Sequence, residues 1–215
     1  HTHCNLCDGV NTPEEVAAAA FALGFTDLGF SSHSPAPYDP SCPGIESESE
    51  YRGVIAGLHD EYQGRMGILC GIETDTYAPV DGDDYDYSIG SNHFLPVTDG
   101  VYVAVDGDPE IILKTMDDRY HGEGIAMVRD YHELQLRGIK EQQPDVVGHF
   151  DLPKKYNREG RFFDEASHAY KALALEALDD ALRALDAYGG MLEVNTGAIS
   201  KGLRDDPYPS LFLLK

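Results

Sequence analysis

The sequence predicts an α/β protein in which helices alternate with short apolar strands. Helical segments end at glycine, as at Gly24 and at Gly189–Gly190, and an apolar segment follows each of them within a few residues. Strands that are separated by helices form parallel βα units. We therefore expect a parallel sheet whose strands are connected by helices.

The two clearest helices are the first and the last. Thr12 and Glu15 form a capping box at the start of the first helix, and Pro13 takes its first helical position. The last, 164–188, carries leucines at three- and four-residue steps, namely Leu175, Leu178, Leu182 and Leu185. The other predicted elements are, in order, a strand ending at His33, a helix near 46–64, strands ending at Glu73 and His93, helices near 109–118 and 124–142, a strand ending at His149, and the strand MLEVNTG.

Length and charge limit the classes of partner. The chain has 215 residues, enough for a single domain (1–215) with a substantial core, and it contains no apolar run that would span a membrane. The formal net charge of −22 repels nucleic acid and anionic membranes, so we expect neither as a partner. The four cysteines do not suggest a disulfide scaffold, and we expect reduced thiols and a cytoplasmic location. Cys4 and Cys7 form a C-x-x-C pair, but the flanking His and Asp residues explain this segment better than a redox or zinc-clip role does.

Side chains that commonly bind metals lie at the predicted carboxyl ends of the strands. His33, Glu73, His93 and His149 each close one predicted strand. In a closed parallel barrel these ends converge on the face where barrel enzymes hold their active sites. A carboxylate such as Glu73 at the end of a buried strand is costly unless it is paired or binds a metal. We therefore expect a metal site on this face.

The opening segment, HTHCNLCDG, adds three further candidate ligands. His1 and His3 are two residues apart, so on an extended segment their side chains lie on the same side and can bind one metal ion together. Asp8 follows five residues after His3. The remaining histidines lie on predicted helices or loops with polar neighbours and are interpreted as surface residues: His59, His121, His132 and His168.

Six segments in this order resemble the PHP (polymerase and histidinol phosphatase) superfamily: HTHCNLCDG, GFTDLGFSSHSP, GIETD, GSNHF, VVGHFDL and LEVNTG. Within it, the chain is most similar to the monofunctional histidinol-phosphate phosphatases, over essentially its whole length. The resemblance implies a distorted TIM-like (β/α)7 barrel. It also implies a phosphoric monoester hydrolase of histidine biosynthesis, which converts L-histidinol phosphate and water to L-histidinol and phosphate.

The same resemblance implies a site for up to three divalent ions, such as zinc, manganese or iron. The ligands implied for the first, second and third ion are, in that order, His1 with His3, His93 with His149, and Asp8 with His33, while Glu73 bridges the first two. Glu73, His93 and His149 are the residues expected to carry catalysis. The ions that they hold would activate a bridging hydroxide for attack on phosphorus.

Other side chains would assist this site. Arg161, Lys201 and Arg204 lie in loops after predicted strands and are candidates to bind the substrate phosphate; the alternative is that they are solvated surface cations. Asp75 and Asp151 each follow a candidate ligand by two residues and are candidates to orient imidazole rings.

Two departures from the family pattern leave alternatives open. Gly9 stands where many phosphatase members have histidine, and this version resembles other PHP branches, including polymerase-associated domains and nucleotide phosphoesterases. A phosphoesterase that acts on nucleotides or oligonucleotide ends is therefore an alternative. The closing Asp-x-His of the family does not occur before Lys215, and the chain begins on its first ligand. We therefore expect a piece of a longer enzyme, with incomplete first and last strands, incomplete metal binding and poor turnover. A metal-binding fragment without catalysis is a further alternative.

Overall fold

Helices and strands alternate along the computed structural model, which describes residues 1–39 and 42–215 apart from the side chain of Asp83. These residues form two units, 1–89 and 90–215. The elements of the first unit are α1 (Pro13–Ala22), β1 (Asp27–His33), α2 (Glu48–Tyr62), β2 (Gly67–Asp75) and the start of β3 (Tyr87–Ser91). Those of the second are the end of β3, β4 (Phe94–Thr98), β5 (Val101–Ala104), α3 (Pro109–Tyr120), α4 (Gly124–Gln142), β6 (Val146–Val147), α5 (His168–Asp186), β7 (Met191–Leu192) and α6 (Gly197–Ser200).

The start of α1 confirms the predicted capping box. Thr12 Oγ1 accepts a hydrogen bond from the Glu15 N–H at 3.2 Å, and the Glu15 carboxylate accepts one from the Thr12 N–H at 3.0 Å. These bonds satisfy two N–H groups that have no partner within the helix. Gly24 follows the helix with a φ of +82°, a conformation that glycine adopts without strain.

Strands β1 and β2 pair in parallel and form the centre of the first unit. Their register places His33, the last residue of β1, directly opposite Glu73. Both strands are largely buried, and α2 packs its apolar side chains in the same core. The buried side chains of this core include Phe30, Tyr51, Ile55, Leu58, Ile68 and Ile72.

Tyr87 of β3 packs directly on Gly71 of β2 and Gly29 of β1. A Cβ atom added at Gly71 would lie 2.3 Å from the Tyr87 ring, and one added at Gly29 would lie 2.5 Å from its hydroxyl. The hydroxyl donates a hydrogen bond to the Phe30 carbonyl at 3.0 Å. Only glycine leaves room for this ring, so these two positions allow the Tyr87 side chain to lie across β2 and reach β1.

The second unit surrounds a short parallel pair. Strands β6 and β7 run parallel, and just after β6 the Gly148 N–H donates to the Gly90 carbonyl of β3 at 3.0 Å. Helices α4 and α5 pack together and bury Met127, Tyr131, Tyr170, Ala174 and Leu178. The prediction of an α/β fold with parallel strands is confirmed. No helix in the described part of the chain is both long and apolar enough to span a membrane.

A β-hairpin that the sequence reasoning missed lies between β3 and α3. Strands β4 and β5 are antiparallel and turn at Asp99–Gly100, where Gly100 has a φ of +74°. Asp-Gly between apolar segments is a strong hairpin signal. The signal was therefore present in the sequence.

On α5, Leu178 and Leu185 are buried, whereas Leu175 and Leu182 are half exposed, because the buried face runs through Tyr170, Leu173, Ala174 and Ala181. The interpretation of one histidine is wrong. His132, interpreted as a surface residue, is buried on α4, where its ring stacks on Phe150 at 4.8 Å between centroids. The other three histidines of that group are exposed.

Candidate metal centre

In the first unit, three imidazoles surround one oxygen of a buried carboxylate. Glu73 is 1% exposed, and its Oε2 atom lies 3.1 Å from His1 Nε2, 3.3 Å from His3 Nε2 and 3.1 Å from His33 Nδ1. A carboxylate oxygen has two lone pairs, so three imidazole nitrogens are more than it can accept as hydrogen-bond donors with good geometry. Three nitrogen atoms and a carboxylate oxygen this close together are suitable ligands for a divalent cation.

The backbone explains why His1 and His3 reach this oxygen. The Ser31 N–H of β1 donates to the Thr2 carbonyl at 2.8 Å, and the Thr2 N–H donates to Ser31 Oγ at 2.9 Å. Thr2 is thus held against β1, and the residues on either side of it both present their rings to Glu73. The same-side placement that the His-x-His spacing predicts is confirmed for this carboxylate.

Asp8 approaches two of these histidines, His3 and His33, through their other ring nitrogens. Its carboxylate oxygens are 2.9 Å from His3 Nδ1 and 3.8 Å from His33 Nε2. Potential ligand atoms of His3, Asp8 and His33 all lie within 4.8 Å of one another, which is close enough to share one metal ion. The first unit therefore offers two neighbouring groups of ligand atoms, one around Glu73 and one around Asp8.

The electrostatics of these groups favour a cation. The hydrogen bond with His3 holds the pKa of Asp8 well below its usual range. Burial lowers the pKa of His3, but the hydrogen bonds with Asp8, Cys7 and Glu73 outweigh burial and raise the pKa to about 12. An imidazole that holds its proton this strongly lies in a strongly negative potential, and such a potential also attracts a metal ion.

The cysteine pair does not act as one unit here. Cys4 Sγ lies 3.4 Å from Ser32 Oγ in the core, whereas Cys7 Sγ lies 3.5 Å from His3 Nδ1 and 3.3 Å from an Asp8 oxygen. The contacts of Cys7 thus support the interpretation that the histidines and Asp8 explain this segment.

The second unit has a pair of histidines of its own. The rings of His93 and His149 lie 4.9 Å apart between centroids, and Ser91 Oγ lies 3.5 Å from His149 Nε2. The His149 N–H donates to Glu193 Oε2 at 2.8 Å, and Glu193 Oε1 accepts from the Asn195 side chain at 3.0 Å. These bonds fix the backbone that carries His149.

Asp106 and Lys155 accompany this pair, and neither was predicted. Lys155 Nζ lies 2.8 Å from Asp106 Oδ2. Burial raises the pKa of Asp106, but the charges of His93, Lys155 and His149 outweigh burial and hold the pKa below its ordinary value. The carboxylate is therefore ionised beside both histidines. Neither residue belongs to a sequence motif, so only folding brings them to the histidines.

The candidate ligands lie near strand ends, but most do not lie at the last residue. His33 ends β1 as predicted, whereas Glu73 lies two residues before the end of β2. His93 and His149 each lie two residues beyond a strand, since β3 ends at Ser91 and β6 at Val147. The last two strands are shorter than predicted because β6 and β7 each have only two residues.

Two of the three predicted phosphate-binding cations pair with carboxylates, and the third is exposed on the surface. Arg161 pairs with the exposed Glu110. Arg204 donates to both oxygens of Glu165, at 3.0 and 2.7 Å. Lys201 is exposed at the end of α6. Their role in phosphate binding stays a prediction.

The two predicted orienting carboxylates are both buried. Asp75 Oδ1 accepts a hydrogen bond from the Tyr77 N–H at 3.1 Å. Asp151 Oδ2 accepts from the Ser210 N–H at 3.0 Å and lies 3.4 Å from Lys154 Nζ. The known contacts of Asp151 therefore fix the segment around residue 210, and its proposed action on an imidazole stays a prediction.

The family assignment follows from comparison with known proteins. The model of the PHP domain family matches residues 1–197. This chain belongs to the PHP domain family. The predicted membership is thereby confirmed, while the extension of a single domain to residue 215 stays a prediction.

Curated relatives of this PHP domain include histidinol-phosphatases. "Probable histidinol-phosphatase" of Deinococcus radiodurans is 32% identical over an alignment of 168 residues that covers 73% of this chain and 61% of the relative. "Histidinol-phosphatase" of Bacillus subtilis is 27% identical over an alignment of 223 residues, gaps included, that covers 94% of this chain and 81% of the relative. The chain thus spans less than two thirds of the length of the Deinococcus relative.

Solved structures support the same fold for this PHP domain. HisK from Listeria monocytogenes superposes with a TM-score of 0.78 at 20% identity, covering 100% of this chain and 88% of that one. Histidinol phosphate phosphatase from Lactococcus lactis, solved in complex with zinc, L-histidinol and phosphate, gives a TM-score of 0.65 at 21% identity, over 94% of this chain and 74% of that one. The predicted PHP-type α/β fold is confirmed.

Proposed function

We propose that this PHP domain is a metal-dependent phosphomonoesterase that hydrolyses L-histidinol phosphate to L-histidinol and phosphate. The observation that carries the proposal is the approach of three imidazole nitrogens to one oxygen of the buried Glu73 carboxylate. The names of the curated relatives and the ligands of the Lactococcus enzyme support this choice of substrate.

The proposed ligands are those implied by the family pattern. Seven residues would hold up to three divalent ions, of zinc, manganese or iron: His1, His3, Asp8, His33, Glu73, His93 and His149. Bound divalent ions lower the pKa of a coordinated water and neutralise phosphate oxygens, which is the chemistry that hydrolysis of a phosphomonoester needs. Protein charge alone would not attract the substrate, because the formal net charge is −22.

The chain's own residues prepare the site in two ways. In the first unit, Asp8 and Glu73 hold the imidazoles of His3 and His33 from two sides, so the rings are oriented before any ligand binds. In the second unit, Glu193 fixes the backbone at His149 through its N–H. Donors fixed in this way need little reorganisation during the reaction.

A phosphate-release assay tests the proposal. The protein, loaded in turn with zinc, manganese or iron, is assayed with L-histidinol phosphate and with a panel of nucleoside monophosphates. We expect kcat/KM for L-histidinol phosphate to exceed that for each nucleotide at least tenfold. A clear preference for a nucleotide would instead indicate a nucleotide phosphoesterase, and no release from any substrate would indicate a metal-binding domain without catalysis.

A further inference from the structure

Lys155 is a cation located beside the histidine pair of the second unit. Its ammonium group lies 2.8 Å from Asp106 Oδ2, and both side chains are only about one-fifth exposed, at 22% and 23%. The Val105 N–H donates to the His93 carbonyl at 2.8 Å, so the residue before Asp106 is bonded to the backbone of His93. The charge of Asp106 also interacts with those of His93 and His149. The ion pair therefore belongs to the histidine cluster.

The chain directs Lys155 to this cluster through a tight turn. After His149 the backbone forms a 3-10 helix (Leu152–Lys154), in which the Leu152 N–H donates to the His149 carbonyl at 3.1 Å. The Lys155 N–H then donates to the Leu152 carbonyl at 2.9 Å. Two successive hydrogen bonds thus connect the backbone of Lys155 to that of His149, which restricts where the lysine side chain can reach.

The adjacent lysine has a different role. Lys154 is fully buried, and its Nζ atom donates to the Pro207 carbonyl and to Ser210 Oγ, each at 2.6 Å. These acceptors keep its charge in the protein interior. Arg204, among the predicted phosphate ligands, donates to both oxygens of Glu165. Lys155, by contrast, is partly exposed and pairs with Asp106, whose charge interacts with the candidate metal ligands His93 and His149.

We propose that Lys155 binds the phosphoryl group of the substrate and that Asp106 holds its ammonium group in position. This inference rests on the proposed function. An ammonium group has three N–H donors and serves as a point charge for phosphate oxygens. Asp106 Oδ2 accepts a hydrogen bond from one of these donors and so limits the motion of the lysine side chain, which is otherwise flexible.

The partly buried position makes this single charge effective. Solvent and salt screen a half-buried charge less than an exposed one. The protein has 16 lysines and arginines against 38 acidic residues, so a cation beside the ligands acts against a strongly negative background. A phosphate dianion held next to these histidines would therefore gain a donor and a compensating charge from Lys155.

Binding of inorganic phosphate to the zinc-loaded protein tests the assignment. Isothermal titration calorimetry gives the Kd for phosphate, and zinc content is measured on the same samples. We expect Lys155→Met and Lys155→Gln to raise this Kd about 10- to 100-fold, because each loses a charge-assisted hydrogen bond. Lys155→Arg keeps the charge and is expected to stay within about threefold of the wild type, with unchanged zinc content in all three.

A matched control comes from a lysine in a similar pair. Lys114 pairs with Asp118 on the exposed surface of α3, so Lys114→Met removes an equal charge away from the histidines and is expected to leave the Kd unchanged. Wild-type phosphate affinity in Lys155→Met overturns the assignment, as does a loss of affinity that accompanies loss of zinc. Absence of phosphate binding by the wild type overturns it as well. A wild type that binds phosphate but does not turn over L-histidinol phosphate contradicts the proposed function alone.

Discussion

His33 and Glu73 face each other across the parallel pair β1–β2, and His33 Nδ1 lies 3.1 Å from Glu73 Oε2. This contact depends on strand register, because a shift of one residue would turn one of the side chains to the other face of the sheet. The register extends over all seven residues of β1, from Asp27 opposite Gly67 to His33 opposite Glu73. The pairing of β1 with β2 thus determines how these two candidate ligands meet.

Glu73→Gln is expected to remove most of the metal from the first unit. An amide keeps the shape of the carboxylate but supplies no negative charge, so the three imidazoles lose the anionic partner that they share. We expect zinc affinity to fall at least 100-fold and phosphate release to fall with it. The measurement is zinc content after dialysis against a graded series of chelator concentrations.

The matched control is Glu141→Gln, which makes the same chemical change at an exposed position of α4. It is expected to retain the zinc content of the wild type. Equal zinc retention by the two variants would show that Glu73 is not a ligand, and its histidine contacts would then be hydrogen bonds only.

The sequence predicted the first unit better than the second. The capping box at Thr12, the strand that ends at His33 and the burial of Glu73 are all local signals, and the structure has each of them. In the second unit, β6 is only two residues long because the chain bonds to Gly90 at Gly148 and then turns into a 3-10 helix. No local apolar pattern indicates where such pairing ends.

Charged partners were the hardest part of the site to predict. The sequence placed Arg161, Lys201 and Arg204 among the candidates because they follow strands, but it gave no information on which carboxylates lie nearby. Glu165 bonds to Arg204 from 39 residues away, and Asp106 bonds to Lys155 from 49 residues away. Such pairs depend on tertiary structure, so position along the chain does not show which cation lies near the histidines.

Lys154→Met is expected to destabilise the second unit by about 3–5 kcal/mol. The lysine is fully buried and bonds to Asp206, Pro207 and Ser210, while Asp151 Oδ2 lies 3.4 Å away. Removal of the ammonium group leaves the buried Asp151 without its cation. Urea denaturation measures the free energy of unfolding.

Two further variants separate charge from packing at this position. Lys114→Met, on the exposed surface, is expected to change the free energy of unfolding by less than about 0.5 kcal/mol. Lys154→Met combined with Asp151→Asn removes both charges and is expected to recover part of the loss. An equal loss in the single and double variants would assign the effect to packing rather than to the buried charge.

His132 makes stability depend on pH in a defined range. Burial lowers its pKa to about 4, and its Nδ1 atom lies 3.3 Å from Gln135 Oε1. In the unfolded chain the pKa is about 6.5, so between pH 6.5 and pH 4 the unfolded state takes up a proton that the folded state does not. The free energy of unfolding therefore falls as pH decreases through this range, by about 2 kcal/mol between pH 7.5 and pH 5 from this residue alone.

His132→Phe isolates this contribution because it keeps a ring to stack on Phe150 but cannot take up a proton. Other groups also titrate, so the quantity to compare is the change in unfolding free energy between pH 7.5 and pH 5, measured by urea denaturation for wild type and variant. We expect this change to be smaller in His132→Phe by about 2 kcal/mol, whatever the variant costs at pH 7.5. His59→Gln, on the exposed face of α2, is expected to leave the change as it is in the wild type. Equal pH dependence in wild type and His132→Phe would mean that the buried imidazole takes up its proton as readily in the folded protein as in the unfolded chain. Burial would then not lower the pKa of His132.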